Sequence, residues 1–437
     1  MITITRNTYI PRVEETLGTL RMHNAMMPQY VDFDKIMMEI SYLQFEIEKI
    51  SDVLFQIIGK PLKTDASGNM KYWLAKVGAN LEAFDTTSTG ISLDKNSIAS
   101  AIESGMLSQD VIDVITLYQR YSVMTHMRGT LIGLLQNPMA DIPSCDGHKM
   151  LILNPNWEPQ NTGRVAMQKP AIQNMQHELQ EILTVPMGYV KLHTDSGQVE
   201  PRITYSMFIP DKQIQALINL YNDAYYGILH YCTMPMSDIY SGRTDFQKME
   251  ITDQLKAGRK EIKTFGNAVM YGSKSNPSAN PIKEAMIKRI GEHPLRLQRT
   301  EELLEQIKRG QNIFKTAFGT PIDISKSAKL AGGMYDSVEQ QKLKLAINNP
   351  IQGTAADLMR ISVYTANNIL MNRAKKSYIV NYIHDAGIFA IHESEFDMLK
   401  DELADIVSYN VEGWLPFHAE PEFGREGGIH GLIKDLY

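Results

Sequence analysis

The stretch that most constrains this chain is Tyr378-Ile-Val-Asn-Tyr-Ile-His-Asp-Ala-Gly-Ile-Phe-Ala-Ile-His392. Two β-rich arms, Tyr378–Ile383 and Gly387–Ile391, flank the polar segment His384-Asp385-Ala386. Apolar and β-branched runs broken by a Gly-containing polar turn predict a β-hairpin. Such a hairpin lifts Asp385 to the tip of two rigid strands. A second alternating run, Tyr189-Val-Lys-Leu-His-Thr-Asp195, ends in another carboxylate. Two Asp residues on neighbouring strand ends can hold a pair of divalent ions, which suits in-line phosphoryl transfer. Taken alone, either Asp reads more readily as a turn residue, so the surrounding sequence has to decide.

A length of 437 residues exceeds one ordinary core and implies two or three structural regions. The apolar content of 43% and charged content of 22% are those of a soluble globular protein. No apolar run approaches the roughly 20 residues of a membrane span. The N-terminus has no apolar signal core, and Arg6, Arg12 and Arg21 are offset by Glu14 and Glu15, unlike a transit peptide. Two cysteines, Cys145 and Cys232, lack metal spacing and fit a reducing, cytoplasmic setting. The net charge of −6 hides an asymmetry. From Arg243 to Lys315 there are 15 Lys/Arg against 9 Asp/Glu, and from Asn381 to Tyr437 there are 3 against 12. The middle of the chain can meet phosphates while the acidic C-terminal part supplies metal ligands and a solvated face.

Residues 1–30 show no strong period and read as an extension or a strand laid on the body. Ile36, Ile40, Leu43, Ile47, Ile50, Leu54 and Ile57 recur at helical spacing between Asp32 and Leu62. A short helix is expected around Tyr72–Val77, helical structure after Asp85–Gly90, and a second long helix over Val111–Leu135. Pro138–Pro170 reads as strands and turns, Lys212–Tyr226 as helix, and 240–335 as mostly helical. A helical pattern over Ser337–Arg373 meets Asn349-Pro350, where a kink or break is expected. Glu395–Tyr409 reads as an amphipathic helix.

In the helix expected over Lys256–Gly272, Arg259, Lys263, Asn267 and Tyr271 fall four residues apart and form one stripe. A stripe of Arg, Lys, polar and aromatic residues can meet a triphosphate at one end and a base at the other. A solvated basic face has the same pattern. In Ala346-Ile-Asn-Asn-Pro-Ile-Gln-Gly-Thr-Ala-Ala-Asp357, small residues after Pro350 permit close backbone approach. Asn348 and Gln352 offer amides, and Gln can test base-pair shape in the minor groove; alone, the run reads as a buried helix start. Asn161-Thr-Gly-Arg164 and Lys169-Pro-Ala-Ile-Gln-Asn174 place an Arg and two amides on what are otherwise ordinary surface turns.

In this order the stretches resemble the polymerase region of family A DNA polymerases, the bacterial DNA polymerase I type. Asp195-Ser-Gly-Gln-Val-Glu200 is similar to motif A, and Arg259-x3-Lys263-Thr-Phe-x5-Tyr271-Gly272 to motif B. Asn348-Asn-Pro-Ile-Gln-Gly-Thr-Ala-Ala-Asp357 is similar to the family's Asn-x-Pro-x-Gln-Gly-Thr-Ala-Ala-Asp, and His384-Asp385 to motif C. Thr162-Gly-Arg164 and Pro170-x-x-Gln173-Asn174 match its template–primer contacts. The resemblance spans about residues 32–424.

It implies an α+β right hand. The segments would be an N-terminal extension (1–31), a helical thumb (32–137), a first palm part (138–235), helical fingers (236–335) and a second palm part (336–437) on a small antiparallel sheet. Asp195 and Asp385 would bind two Mg²⁺ ions, with Mn²⁺ as an alternative. Arg259 and Lys263 would hold the triphosphate of a dNTP, Lys263 also serving as acid for the pyrophosphate. Glu200 would crowd the sugar 2′-position, and Gln198, Asn267 and Tyr271 would complete the nucleotide site. Arg164, Gln173, Asn174, Asn348, Gln352 and His384 would touch primer–template DNA. The implied activity is template-directed DNA synthesis by a monomer in a bacterial or phage-infected cytoplasm. The alternatives are a single-subunit RNA polymerase or reverse transcriptase, or a primer–template binder that does not catalyse.

Four positions depart from the family pattern. Ala386 stands where a Glu follows His-Asp, and Asn267 where an aromatic is usual. Phe265 does not replace that aromatic, since two helical residues place it about 200° around the helix. Ser196-Gly197 replaces Tyr-Ser, and no terminal His closes Asp435-Leu-Tyr437. About 30 residues precede the expected thumb, with no acidic exonuclease pattern. The chain is therefore expected not to proofread by itself, and a separate exonuclease or processivity subunit, or a compact phage or plasmid replicase, would suit it.

Overall fold

The computed structural model describes residues 1–5, 7–26, 29–62, 66–84, 86–87, 90–93, 95–136, 139–143, 149–153, 156–168, 179, 182–270, 281–326 and 338–424. The chain forms two compact units. One comprises Tyr30–Leu153 and Met175–Thr184, the other Met1–Gln29, Asn154–Asn174 and Val185–Tyr437.

The smaller unit is built on two long helices, Phe33–Ile58 and Gln109–Leu134, packed together. Asp32 starts the first by accepting the Lys35 N–H at 2.9 Å, and Gly59 ends it in the left-handed region at φ +75°. Its buried stripe includes Ile36, Leu43, Ile47, Ile50 and Leu54, as the spacing predicts. The stripe then closes on Ile58, while Ile57 turns to solvent. Arg120 bridges the pair to Glu46 at 2.9 Å. The short helix is longer than expected, Ala66–Lys76, and a two-residue hairpin (Thr86–Thr87, Gly90–Ile91) precedes the helix Lys95–Glu103. A four-stranded sheet, ordered Met139–Pro143, Lys149–Leu153, Gln29–Asp32, Leu183–Thr184, completes this unit.

The larger unit is organised on an antiparallel sheet of four strands in the order Tyr378–Ile383, Ala386–His392, Tyr189–Ser196, Ala419–Gly424. Strand Tyr378–Ile383 is buried along its whole length, and Ala386–His392 up to its last residue, which is what near-continuous apolar runs predict. The hairpin arms therefore form as expected, with Ala386 already inside the second strand. Helix Phe396–Ala404 packs on the two central strands. It is shorter than the amphipathic segment expected there, because residues 405–407 tighten into a 3₁₀ turn.

Two expectations hold only in part. The N-terminal residues carry a helix, Val13–Met26, after a strand Ile2–Ile4 that pairs in parallel with Tyr409–Val411. Its buried face holds Thr16, Leu17, Leu20 and His23, so polar residues interrupt the apolar period. Of the kink or break expected at Asn349-Pro350, the break does not occur: the helix runs unbroken from Val338 to Arg373 with Pro350 inside it. Proline deletes one backbone hydrogen bond, but this helix is buried at nearly every position from Ala346 to Val363, so tertiary packing holds it.

Helix returns at Lys212–Tyr221 and Ala224–Thr233, split where Asn222 adopts φ +53°. A Cβ at Gly227 would lie 2.7 Å from the Ile218 backbone nitrogen, so glycine sets how closely these two helices pack. The basic middle of the chain folds as helices Met236–Ser241, Asp253–Met270, Pro281–Met286 and Pro294–Lys308, followed by a hairpin, Ile313–Lys315 with Pro321–Asp323. Cys232 is buried as a free thiol, and Cys145 lies outside the described residues. Among the described residues no helix is long and apolar enough to cross a membrane.

Candidate active site

Strand Tyr189–Ser196 brings the two expected carboxylates together. Asp195 is in register with Ala386 on one side and with Glu420 on the other. Asp385, in the turn preceding Ala386, accepts the Ser196 N–H through its backbone oxygen at 3.3 Å. Asp195 on its strand and Asp385 in the turn before the adjacent strand therefore sit together at one end of the sheet. Both carboxyls are pushed above the usual carboxylate range. For Asp195 the cause is burial, followed by repulsion from Glu420; for Asp385 it is burial, followed by repulsion from Asp195.

These carboxylates open on a cavity of about 440 Å³. Arg164, Gln198, Glu200, Arg259, Lys263 and His384 also line it. Asn348 and Gln352 stand on the helix Val338–Arg373 and are not part of its lining. Asn267 lies on the helix Asp253–Met270, but its side chain is outside the described residues, as are Tyr271, Gln173 and Asn174.

The backbone is strained where the site is built. Among the described residues three non-glycine residues have positive φ: Gln198 at 60°, Asn222 at 53° and His384 at 57°. Gln198 and His384 line the cavity beside the two Asp strands, and Asn222 immediately precedes Asp223. Buried Arg202 fixes the same segments. Its Nε donates to the Gly197 carbonyl at 3.0 Å, Nη1 to Pro416 at 2.7 Å and Nη2 to Asn222 at 3.1 Å.

Sequence reasoning missed three contributors. Glu420 lines the cavity from strand Ala419–Gly424, and a Cβ at Gly197 would lie 2.6 Å from its Oε1. The glycine in the Ser196-Gly197 departure thus makes room for this carboxylate. Tyr225 lines the cavity with the Arg259 guanidinium carbon 5.3 Å from its ring centre. Asp223 accepts from Arg259 at 2.7 Å. Only Asp223 had a local signal, as an Asp ahead of a helix; Glu420 and Tyr225 enter through tertiary pairing alone.

A further network supports the Arg164 turn. Buried Asp357 accepts from Thr316 at 2.5 Å and Thr320 at 3.0 Å and pairs with Arg360. Arg360 in turn donates to the Gly163 carbonyl at 3.3 Å.

Residues 35–427 match the profile of DNA polymerase family A. The chain belongs to DNA polymerase family A. The DNA polymerase I of Caldicellulosiruptor bescii is 22% identical over 385 residues, covering 85% of this chain and 41% of that protein. The DNA polymerase I of Pseudomonas aeruginosa is 22% identical over 344 residues, covering 75% and 34% respectively. This family A chain thus spans well under half the length of the curated relatives it matches. The solved POL domain of Pol1 from M. smegmatis, in complex with DNA primer-template and dNTP, is similar with a TM-score of 0.70 at 18% identity. That likeness covers 95% of this chain and 69% of the other. The fold is accordingly the α+β right hand of family A, with the two Asp strands at the centre of its antiparallel sheet.

Proposed function

We propose that the chain is a template-directed DNA polymerase that adds dNTPs to a primer 3′ end and releases pyrophosphate. The observation that carries this reading is the meeting of Asp195 and Asp385 with Arg259 and Lys263 around one cavity. Paired carboxylates and two cations in one concave site suit phosphoryl transfer, where catalysis is mostly positioning and charge stabilisation. Family membership supports the reading, as does the likeness to a polymerase domain solved with primer-template DNA and dNTP.

The donor set fits a pair of Mg²⁺ ions, with Mn²⁺ as an alternative. Carboxylate oxygens are hard donors, and a divalent cation would offset the burial, and then the repulsion, that raise both carboxyls. Among the described residues no group of three or more His, Cys, Asp or Glu is placed to hold one metal ion. Water and phosphate oxygens would fill the remaining positions, the habit of Mg²⁺ at nucleotide sites. When bound, such ions activate the primer 3′-hydroxyl and neutralise phosphate charge.

The protein's own groups do the rest. Arg259 offers a planar fork for phosphate oxygens. Lys263 acts on Asp195 electrostatically and serves as charge and proton donor toward the leaving pyrophosphate. Glu200 crowds the sugar 2′-position, with Gln198, Asn267 and Tyr271 completing the nucleotide site. Arg164 and His384 face the primer terminus; Gln173, Asn174, Asn348 and Gln352 meet the duplex. In this reading 32–137 is the thumb, 138–235 and 336–437 the palm, and 236–335 the fingers.

Primer extension on a DNA template with four dNTPs, beside the same reaction with four NTPs, tests the proposal. Extension with dNTPs and Mg²⁺ is expected. Efficient NTP extension would make it an RNA polymerase, and no extension with either set would make it a primer–template binder.

A further inference from the structure

Asp223 stands just ahead of the helix Ala224–Thr233, between the two segments that carry candidate triphosphate contacts. It does not line the cavity. Its Oδ1 accepts the Tyr226 N–H at 2.8 Å and caps the helix. Its Oδ2 accepts Nε and Nη2 of Arg259 at 3.0 and 2.7 Å, and Nε2 of Gln198 at 2.7 Å. Gln198 closes the ring by accepting the Ala224 N–H at 2.5 Å. The faces of Tyr225 and Tyr226 both lie 5.3 Å from the guanidinium carbon of Arg259.

Resting on the polymerase reading, we propose that Asp223 is a positioning residue for the triphosphate subsite, clamping one edge of Arg259 so that its Nη1 edge meets the phosphates of the incoming dNTP. Nη1 makes no hydrogen bond to the described residues, and Arg259 lines the cavity. An arginine already held by two of its donors loses little further freedom when phosphate arrives. The opposite device, a carboxylate that occupies the phosphate's place and must leave, requires Asp223 to swing away. Its contacts oppose that: the helix cap, Gln198 and the ion pair hold it from three sides. Burial works to raise the Asp223 carboxyl, and the bonds from Arg259, Tyr226 and Gln198 outweigh it and bring it below the usual carboxylate range. The same links couple the turn after Asp195 to the helix bearing Arg259, so both ends of the nucleotide site share one support.

Single-nucleotide incorporation by Asp223→Asn, with dATP titrated on a primer–template, tests the clamp. Asn keeps an acceptor for the Tyr226 N–H, and a melting curve checks that the fold survives. The dATP KM should rise about tenfold, with kcat falling less than about threefold, because a charged hydrogen-bond partner is lost away from the reacting atoms. On an Arg259→Lys background the same substitution should change KM less than about twofold, since lysine cannot be gripped along an edge. An unchanged or lowered KM overturns the clamp, and so does an equal effect on both backgrounds. If the wild type incorporates no nucleotide, the polymerase reading fails separately. Calorimetry with inorganic tripolyphosphate then decides the clamp by itself: weaker binding by Asp223→Asn supports it and equal affinity overturns it.

Discussion

The Arg164 guanidinium donates to the Glu200 carboxylate across 2.6 Å, with only 18% and 22% of the two side chains exposed. This ion pair joins the turn after Gln160 to the short helix that follows Asp195. In the proposed reading one residue faces the primer terminus and the other the nucleotide sugar, so the pair would couple two contacts that otherwise act independently. Each single substitution, Arg164→Ala or Glu200→Ala, should lower kcat/KM for dNTP incorporation about tenfold, because it strands a half-buried charge. The double variant should lose little more than either single one. A full double-mutant cycle measures this, and additive losses would contradict the coupling.

Gly353 is where the long helix receives two neighbours. A Cβ there would lie 2.4 Å from Ile322 Cδ1, 2.9 Å from Thr316 Cγ2 and 3.2 Å from the Thr162 backbone oxygen. The close approach expected of the small residues after Pro350 occurs at this glycine. Gly353→Ala should cost about 1–3 kcal/mol through overpacking. It should also slow primer extension, because the displaced backbone carries Arg164. Chemical denaturation beside an extension assay checks both, and a variant as stable as the wild type would show that the contacts give way freely.

Glu395 holds the connection into the hairpin that carries Asp385. Its carboxylate accepts the backbone N–H groups of Lys375 at 2.7 Å and Ser377 at 2.9 Å, and the Ser377 hydroxyl at 2.6 Å. Burial alone would raise this carboxyl, but the hydrogen bonds outweigh it and lower it. A carboxyl lowered on folding stabilises the native state above its unfolded pKa, and that stability is lost as pH falls through the folded pKa. Glu395→Gln should therefore unfold more easily than the wild type at pH 7, by about 1–3 kcal/mol. The gap should narrow as pH falls below the ordinary glutamate value, about 4.3. Urea titrations at both pH values test this, and a gap that persists in acid would assign the loss to packing instead of charge.

The palm was legible wherever local pattern and tertiary role agree. Tyr378–Ile383 and Tyr189–Asp195 are strands in any context, and their ends place Asp195 and Asp385 together. The Val13–Met26 helix was hidden because its buried face includes His23, whose ring bonds Asn367 at 3.0 Å; such a face has no apolar period. The break allowed for at Pro350 is absent for the converse reason, since a local rule for ending helices was overridden by burial. Asp223 showed only as an Asp ahead of a helix, and Glu420 had no signature of its own. Each matters through a partner, Arg259 and Asp195 respectively, that only the folded chain brings near.

The central claim is that Asp195 and Asp385 together carry the phosphoryl transfer. Primer extension and primer–template affinity, measured on Asp195→Ala and Asp385→Ala beside the wild type, test it most directly. Extension should fall at least about a thousandfold in each variant, the several kcal/mol that a lost carboxylate removes from transition-state stabilisation. Affinity for primer–template should stay within about threefold, because in the proposed reading duplex would be gripped mainly through phosphates elsewhere on the protein. A variant that still extends primers at the wild-type rate would contradict the account and remove its Asp from the reaction.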